Sequence, residues 1–290
     1  MRLKHYVKNL IVFIPLFFNK SLFNKEMFLM TLFGFIAFSL LCSGVYTWND
    51  ISDLESDRQH PLKKKRPLAS GKISLKYGYA LAIGCFSLPF VIAYFANFNS
   101  YAAFWMIGYV ILNLLYSSKL KQIPIIDIIT LSAFYLIRLY FGASLCGIEV
   151  STWLFLTIMF GSLMLGSGKR YKERTNFTKQ NLSMTREVLR LYTSEFLHDC
   201  VLMSAILTVV FYSLWTLVGV FLGTMTTLVI YTIPMLAIFV LSYIYELSND
   251  SSEDVVMLLI GMPTTPIIII SVAVIFIVEL YIRGPVALWV

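Results

Sequence analysis

With 290 residues, 58% of them hydrophobic and 13% charged, and a mean hydropathy of +0.77, this chain carries too much apolar surface for a soluble globular domain. The net charge of +7 sits in a few loops, so it is not the basic footprint of a nucleic-acid-binding protein. Cys42, Cys85, Cys146 and Cys200 lie in or beside apolar runs without CxxC or Cys/His spacing, which implies packing residues and neither disulfides nor zinc.

Apolar runs long enough to cross a hydrocarbon core of about 30 Å recur along the chain. Arg2, Lys4, Lys8 and Asn9 precede a short run from Leu10 to Phe18 that contains Pro15. That run spans only if it extends over Tyr6 to Phe23, with tilt or snorkelling lysines, and it lacks a small-residue cleavage site. The clearer spans are 27–48, 76–96, 101–117, 124–146, 151–168, 195–217, 221–246 and 264–282. The pattern predicts an all-α polytopic membrane bundle of about nine helices, built as one domain over 1–290. Loops 58–76, 119–121 and 169–190 are basic, whereas those near 97–100, 147–151 and 218–222 hold no Lys or Arg. The positive-inside rule therefore places the basic loops in the cytoplasm of a cell membrane, of the bacterial inner-membrane kind. Lys20 and Lys25 run against that rule, which leaves the first span open between a full crossing and an interfacial helix.

The stretch from Asn49 to Gly71 joins the second and third spans and reads NDISDLESDRQHPLKKKRPLASG. At about 100° per residue, Asn49, Asp50, Asp53 and Asp57 fall within roughly one quadrant of a helix, and Glu55 points away. Three carboxylates on one face repel each other unless a cation lies among them. Hard oxygen ligands favour Mg²⁺, held by carboxylates together with substrate phosphates. Lys63, Lys64, Lys65 and Arg66 follow at once, so cation-binding and anion-binding groups share one loop. The expectation is a metal–diphosphate site; solvated charge that merely fixes topology is the plainer alternative, above all for the lysines.

Other charges gather on the same side. Tyr116, Lys119 and Lys121 end the fourth span, Asp127 begins the fifth after Pro124, and Lys169, Arg170, Lys172, Glu173 and Arg174 close the sixth. Arg138 sits mid-span, eleven residues after Asp127 and hence on its face, where a charge must find a polar partner or a water-filled cavity. Glu195, His198 and Asp199 lie within one turn, a spacing shared by metal ligands and, more commonly, by charge clusters at helix starts.

These residues resemble the UbiA superfamily of intramembrane prenyltransferases. The motif N-D-x-x-D-x-x-x-D matches at Asn49, Asp50, Asp53 and Asp57, and R-P-L-A-S-G matches at Arg66 to Gly71. The resemblance implies a nine-helix bundle whose central cavity is capped on the cytoplasmic side. Within the superfamily the chain is most similar to the branch of decaprenyl-phosphate phosphoribosyltransferases. Lys4-His5-Tyr6-Val7-Lys8-Asn9-Leu10 resembles that branch's K/R-Q-W-x-K-N-L, and Tyr116-Ser117-Ser118-Lys119-Leu120-Lys121 its Y-S-x-K-L-K. Where aromatic prenyltransferases carry a second Asp-rich motif, Gly168-Lys169-Arg170-Tyr171-Lys172-Glu173 resembles the branch's G-K-R-x-x-E. Tyr192 and Glu195 resemble its Y-S-x-E more loosely. Two positions depart from it: Ser242-Tyr243 replaces an Arg-Tyr pair, and Leu259-Ile260-Gly261-Met262 replaces a basic-acidic stretch, so the acceptor lipid or donor sugar is left open.

The resemblance implies transfer of a 5-phosphoribosyl group from 5-phosphoribosyl diphosphate to a polyprenyl phosphate. Mg²⁺ is expected on Asp50, Asp53 and Asp57, and phosphates on Arg66, Lys119, Lys121, Lys169 and Arg170, with Asn49, Tyr116, Asp127, Arg138 and Glu173 as further substrate-binding candidates. Two other readings stay open. An aromatic prenyltransferase of quinone or haem biosynthesis requires the second acidic motif. A transporter or lipid-binding protein requires charges through both leaflets, whereas these cluster on one side.

Overall fold

The structure, a computed structural model, describes residues 3–59, 63–180, 188–249, 258–259 and 261–283. The described residues are helical with short connections and no strand. A 3₁₀ helix, Leu3–Phe13, leads into α1 (Ile14–Phe18). There follow α2 (Lys25–Ser52), α3 (Leu54–Gln59), α4 (Leu75–Phe95), α5 (Ser100–Ser118), α6 (Ile126–Leu145), α7 (Thr152–Gln180), α8 (Val188–Leu191), α9 (Ser194–Phe221), α10 (Thr232–Asn249) and α11 (Thr264–Arg283).

Six described helices are long and apolar enough to cross a membrane: α2, α4, α5, α6, α9, and α10 with the turn before it. Tyr6–Phe18 and Thr264–Glu279 are shorter apolar helices, so the expected nine crossings are matched by six of full length and composition. In α7 the apolar run is diluted by Gly, Ser and Thr before it turns basic. The chain is a multi-pass membrane protein. Its contacts group it into two compact units.

The first unit comprises residues 1–16, 22–117 and 137–148. Asn24 starts α2 by accepting the N–H groups of Glu26 and Met27 at 3.1 and 3.2 Å. Small residues let its helices approach. A methyl group on Gly142 would overlap the backbone of Val12, and one on Gly34 the side chain of Leu145. A methyl on Gly44 would lie 3.2 Å from Phe86 in α4.

The Arg138 side chain lies in this unit, and its cage explains how an apolar helix tolerates it. Its Nε donates to Asn9 Oδ1 at 2.8 Å and its Nη2 to Tyr109 Oη at 3.3 Å. The guanidinium also lies 5.3 Å from the Phe38 ring centre and 5.1 Å from that of Tyr109. Asn9 in turn donates to Ser39 at 2.9 Å, and Tyr6 pairs with Ser43 at 2.7 Å. Ser39, Cys42 and Ser43 thus form a polar seam along α2 in an otherwise apolar interior.

The second unit comprises residues 17–21, 118–136 and 149–290. Here α7 packs on α9, with Phe160 stacked on Phe211 at 5.4 Å, and Ser162 bonds Ser132 of α6 at 2.5 Å. Tyr243, fully buried in α10, lies against Gly168 of α7 so closely that a Cβ there would overlap its hydroxyl. Lys20 reaches Glu279 of α11 at 3.2 Å, and both side chains are buried. Thr226 adds its backbone N–H to the Glu279 carboxylate at 3.0 and 3.1 Å, and its hydroxyl as well. Lys20, which seemed to violate the charge rule, is therefore neutralised inside the protein.

Candidate active site

In the first unit, α2 carries the expected polar face to its end but does not run straight through it. Asp53 closes α2 with its N–H on Asn49 O at 2.9 Å, and Asp57 N–H reaches Asp53 O at 2.8 Å in α3. The i, i+4 backbone bonds thus run through the break, from Asn49 by way of Asp53 to Asp57. Their environments differ: Asp57 is buried, Asn49 and Asp50 are half-buried, and Asp53 is exposed. Asn49 is oriented by the Ser117 hydroxyl, which donates to its Oδ1 at 3.2 Å, next to Tyr116 at the end of α5.

The R-P-L-A-S-G segment is a folded turn. Leu68 is buried against Gly78 of α4, Gly71 adopts φ +75°, and Ser70 N–H bonds Arg66 O at 2.8 Å. The turn aims Arg66 back at the acids: its Nη1 donates to Asp50 Oδ1 at 3.0 Å and to Asp57 Oδ2 at 2.5 Å. Among the described residues no three acidic, His or Cys side chains gather around one point, so the expected three-aspartate set is not preformed. The donors nonetheless fit a hard divalent cation. They are carboxylate oxygens on consecutive turns, and two already converge on a positive charge. Lys64 and Lys65 are exposed, whereas the Lys63 side chain and residues 60–62 lie outside the described residues. The side chains of Arg2, Lys4 and His5, from the opening motif, lie outside them as well.

In the second unit, Asp127 opens α6 and meets Arg170 of α7 in a two-point ion pair, with Nη2 on Oδ1 at 2.7 Å and Nε on Oδ2. Both side chains are fully buried. Arg170 Nη1 also donates to Glu173 Oε2 at 2.5 Å, and Lys169 Nζ lies 4.0 Å from Glu173 Oε1. The structure thus joins four predicted residues, Asp127, Lys169, Arg170 and Glu173, in one chain of alternating charge. Of these four, Lys169 has the most exposed side chain, at 37%. Lys119 is exposed and Lys121 half-buried around the short 3₁₀ turn Leu120–Gln122.

The turn just before Asp127 is held by a residue that the sequence marked only loosely, Tyr192. The backbone N–H of Ile125 donates to Tyr192 Oη at 2.6 Å. Ile125 itself holds φ +67°, a conformation that strains a β-branched residue and persists only where its surroundings impose it. Burial pushes the Tyr192 phenol above its usual range, against the lowering effect of the Ile125 N–H. Glu195 is in the first turn of α9, behind the Thr193 cap, and the His198 ring lies tilted at 51° against Tyr171, with ring centres 5.8 Å apart. That trio is a helix-start cluster. Glu279 escaped the sequence reading, although an acid inside the last apolar run, together with a lysine in the wrong loop, was a legible signal.

The model of the UbiA prenyltransferase family matches residues 11–262. The chain belongs to the UbiA prenyltransferase family. Its relatives in that family include the decaprenyl-phosphate phosphoribosyltransferase of Corynebacterium glutamicum, 34% identical over 218 residues, covering 74% of this chain and 65% of that protein. The protein of the same name from Mycobacterium tuberculosis is 36% identical over 184 residues, covering 63% of this chain and 59% of the relative. The match thus spans somewhat less than two thirds of either relative's length. Among solved structures, a UbiA homologue from Archaeoglobus fulgidus bound to DMAPP and Mg²⁺ superposes with a TM-score of 0.69 at 17% identity, covering 97% of each chain. The all-helical UbiA fold is therefore shared.

Proposed function

We propose that this UbiA-family protein is a Mg²⁺-dependent membrane transferase. It moves the 5-phosphoribosyl group of 5-phosphoribosyl diphosphate onto a polyprenyl phosphate and releases diphosphate, with its charged end facing the cytoplasm. The observation that carries the reading is the end of α7. Where prenyl transfer to an aromatic ring calls for a second carboxylate cluster, Arg170 is locked between Asp127 and Glu173, and Lys169 beside them is left partly exposed. Phosphoribosyl transfer adds a 5-phosphate and a lipid phosphate to the diphosphate, and more anionic oxygen calls for Lys and Arg. The names of the curated relatives agree with this choice.

Asp50, Asp53 and Asp57 are the residues that would hold the divalent ion, which when bound neutralises the leaving diphosphate. The Archaeoglobus homologue holds Mg²⁺ on the same fold. Arg66, on the turn facing Asp50 and Asp57, supplies a guanidinium to diphosphate oxygens. Lys119, Lys121 and Lys169 attract phosphate groups, while Arg170 acts as a positioning residue whose fork is already occupied. The lipid phosphate, with a second pKa of about 6, is largely dianionic near neutral pH and attacks the anomeric carbon without a strong base. Arg138 is enclosed by Asn9, Tyr109 and Phe38 within the first unit.

Prenyl transfer from a prenyl diphosphate is the second reading, because the acidic end of α2 serves any diphosphate donor equally. The test is purified protein with Mg²⁺, polyprenyl phosphate and labelled 5-phosphoribosyl diphosphate. Label is expected to enter the lipid phase with the wild type and not with Asp53→Asn. An active Asp53→Asn variant removes the metal from the reading, and an unlabelled lipid phase with the wild type removes the donor.

A further inference from the structure

We infer that Arg66 is an exchangeable internal counter-ion: its guanidinium holds Asp50 and Asp57 together until a divalent metal displaces it, and displacement frees it to bind phosphate. The inference rests on the metal-binding reading of these aspartates and goes beyond it by making metal entry and anion binding a single event. One nitrogen, Nη1, bridges Asp50 Oδ1 at 3.0 Å and Asp57 Oδ2 at 2.5 Å. The Asp57 side chain is 3% exposed and that of Asp50 17%, so neither carboxylate is left to water alone. Buried carboxylates of like sign need a cation between them, and the protein supplies one from its own turn.

That cation is built to leave. The Arg66 side chain is 25% exposed, and its backbone is anchored independently by buried Leu68 and the left-handed Gly71. The guanidinium can therefore swing while the turn stays in place. Were a divalent ion held by these carboxylates, its charge would repel the guanidinium that now rests on the same oxygens. Once expelled, the fork would have its donors free for the oxygens of an anionic substrate. Metal binding then precedes or accompanies donor binding, and a donor arriving first meets a neutralised guanidinium.

The full chain, purified in detergent, is titrated with Mn²⁺ while the free-ion spin resonance signal is followed, for the wild type and for Arg66→Gln. The variant, freed of the competing cation, is expected to bind Mn²⁺ roughly 2- to 10-fold more tightly, the range in which partly exposed ion pairs act. In the wild type, modification of Arg66 by phenylglyoxal, read by peptide mass spectrometry, is expected to accelerate as Mn²⁺ saturates. Equal or weaker Mn²⁺ binding by Arg66→Gln overturns the exchange, as does an Arg66 reactivity that Mn²⁺ leaves unchanged or slows. The reactivity measurement also separates displacement from a mere change of local field, and it decides alone if the variant does not fold. A wild type that binds no Mn²⁺ overturns the metal reading, and the exchange with it.

Discussion

Asp127 and Arg170 meet through two hydrogen bonds at the junction of α6 and α7, with neither side chain exposed to solvent. A buried pair of this kind is costly to break from one side and far less costly to replace whole. Arg170→Met, which takes the two-point partner from the buried Asp127 carboxylate, should destabilise the detergent-solubilised protein by about 3–5 kcal/mol. Combining Asp127→Leu with Arg170→Met should recover part of that loss. Thermal unfolding of the three proteins checks it, and additive effects in the double variant would show that the pair is not coupled.

The contact between Gly168 and Tyr243 makes opposite predictions for its two sides. Gly168→Ala should lower the melting temperature, because the new methyl overlaps the Tyr243 hydroxyl and lies 3.1 Å from Cζ. Tyr243→Phe should be neutral or stabilising, since that buried hydroxyl finds no hydrogen-bond partner among the described residues. An unsatisfied buried group costs about 1–3 kcal/mol. The Phe variant should also soften the effect of Gly168→Ala when the two are combined.

Asn9 and Arg138 are 129 residues apart in sequence and 2.8 Å apart in space. Asn9→Leu should cost about 1–3 kcal/mol by removing an acceptor from a buried guanidinium. Arg138→Met, which removes the charge itself, should be better tolerated. Measured unfolding free energies that rank the two the other way would contradict the cage as the reason Arg138 is accommodated.

Tyr192 gives a pH dependence with a definite sign. Burial raises its pKa in the folded protein, so the fold favours the neutral phenol. That contribution is present below the ordinary phenol value of about 10 and is lost as the pH climbs through the raised value. Tyr192→Phe should be less stable than the wild type at neutral pH, because Ile125 N–H loses its acceptor. The gap should narrow above about pH 10.

The helices were legible because apolar runs and loop charge act locally: the unbroken run over 27–48 leads straight into Asn49. The backbone period of the acidic stretch was legible too, since i, i+4 bonds run from Asn49 through Asp53 to Asp57, but the three aspartates do not gather at one point among the described residues. What the chain order hid were pairings across long separations. Nothing near Arg138 announces Asn9; Lys20 and Glu279 are each out of place in the sequence, but nothing in it joins them across 259 residues. The direction of the Arg66 side chain was hidden for a different reason. Four basic residues in a row look alike until buried Leu68 and the turn at Gly71 single one out.

The choice of donor is the claim on which the functional account depends, and one incubation decides it. Purified protein with Mg²⁺ is given labelled 5-phosphoribosyl diphosphate and polyprenyl phosphate in one vessel, and labelled geranyl diphosphate and 4-hydroxybenzoate in another. The account predicts a labelled lipid phosphate in the first vessel and no prenylated ring in the second. Product only in the second vessel would contradict it.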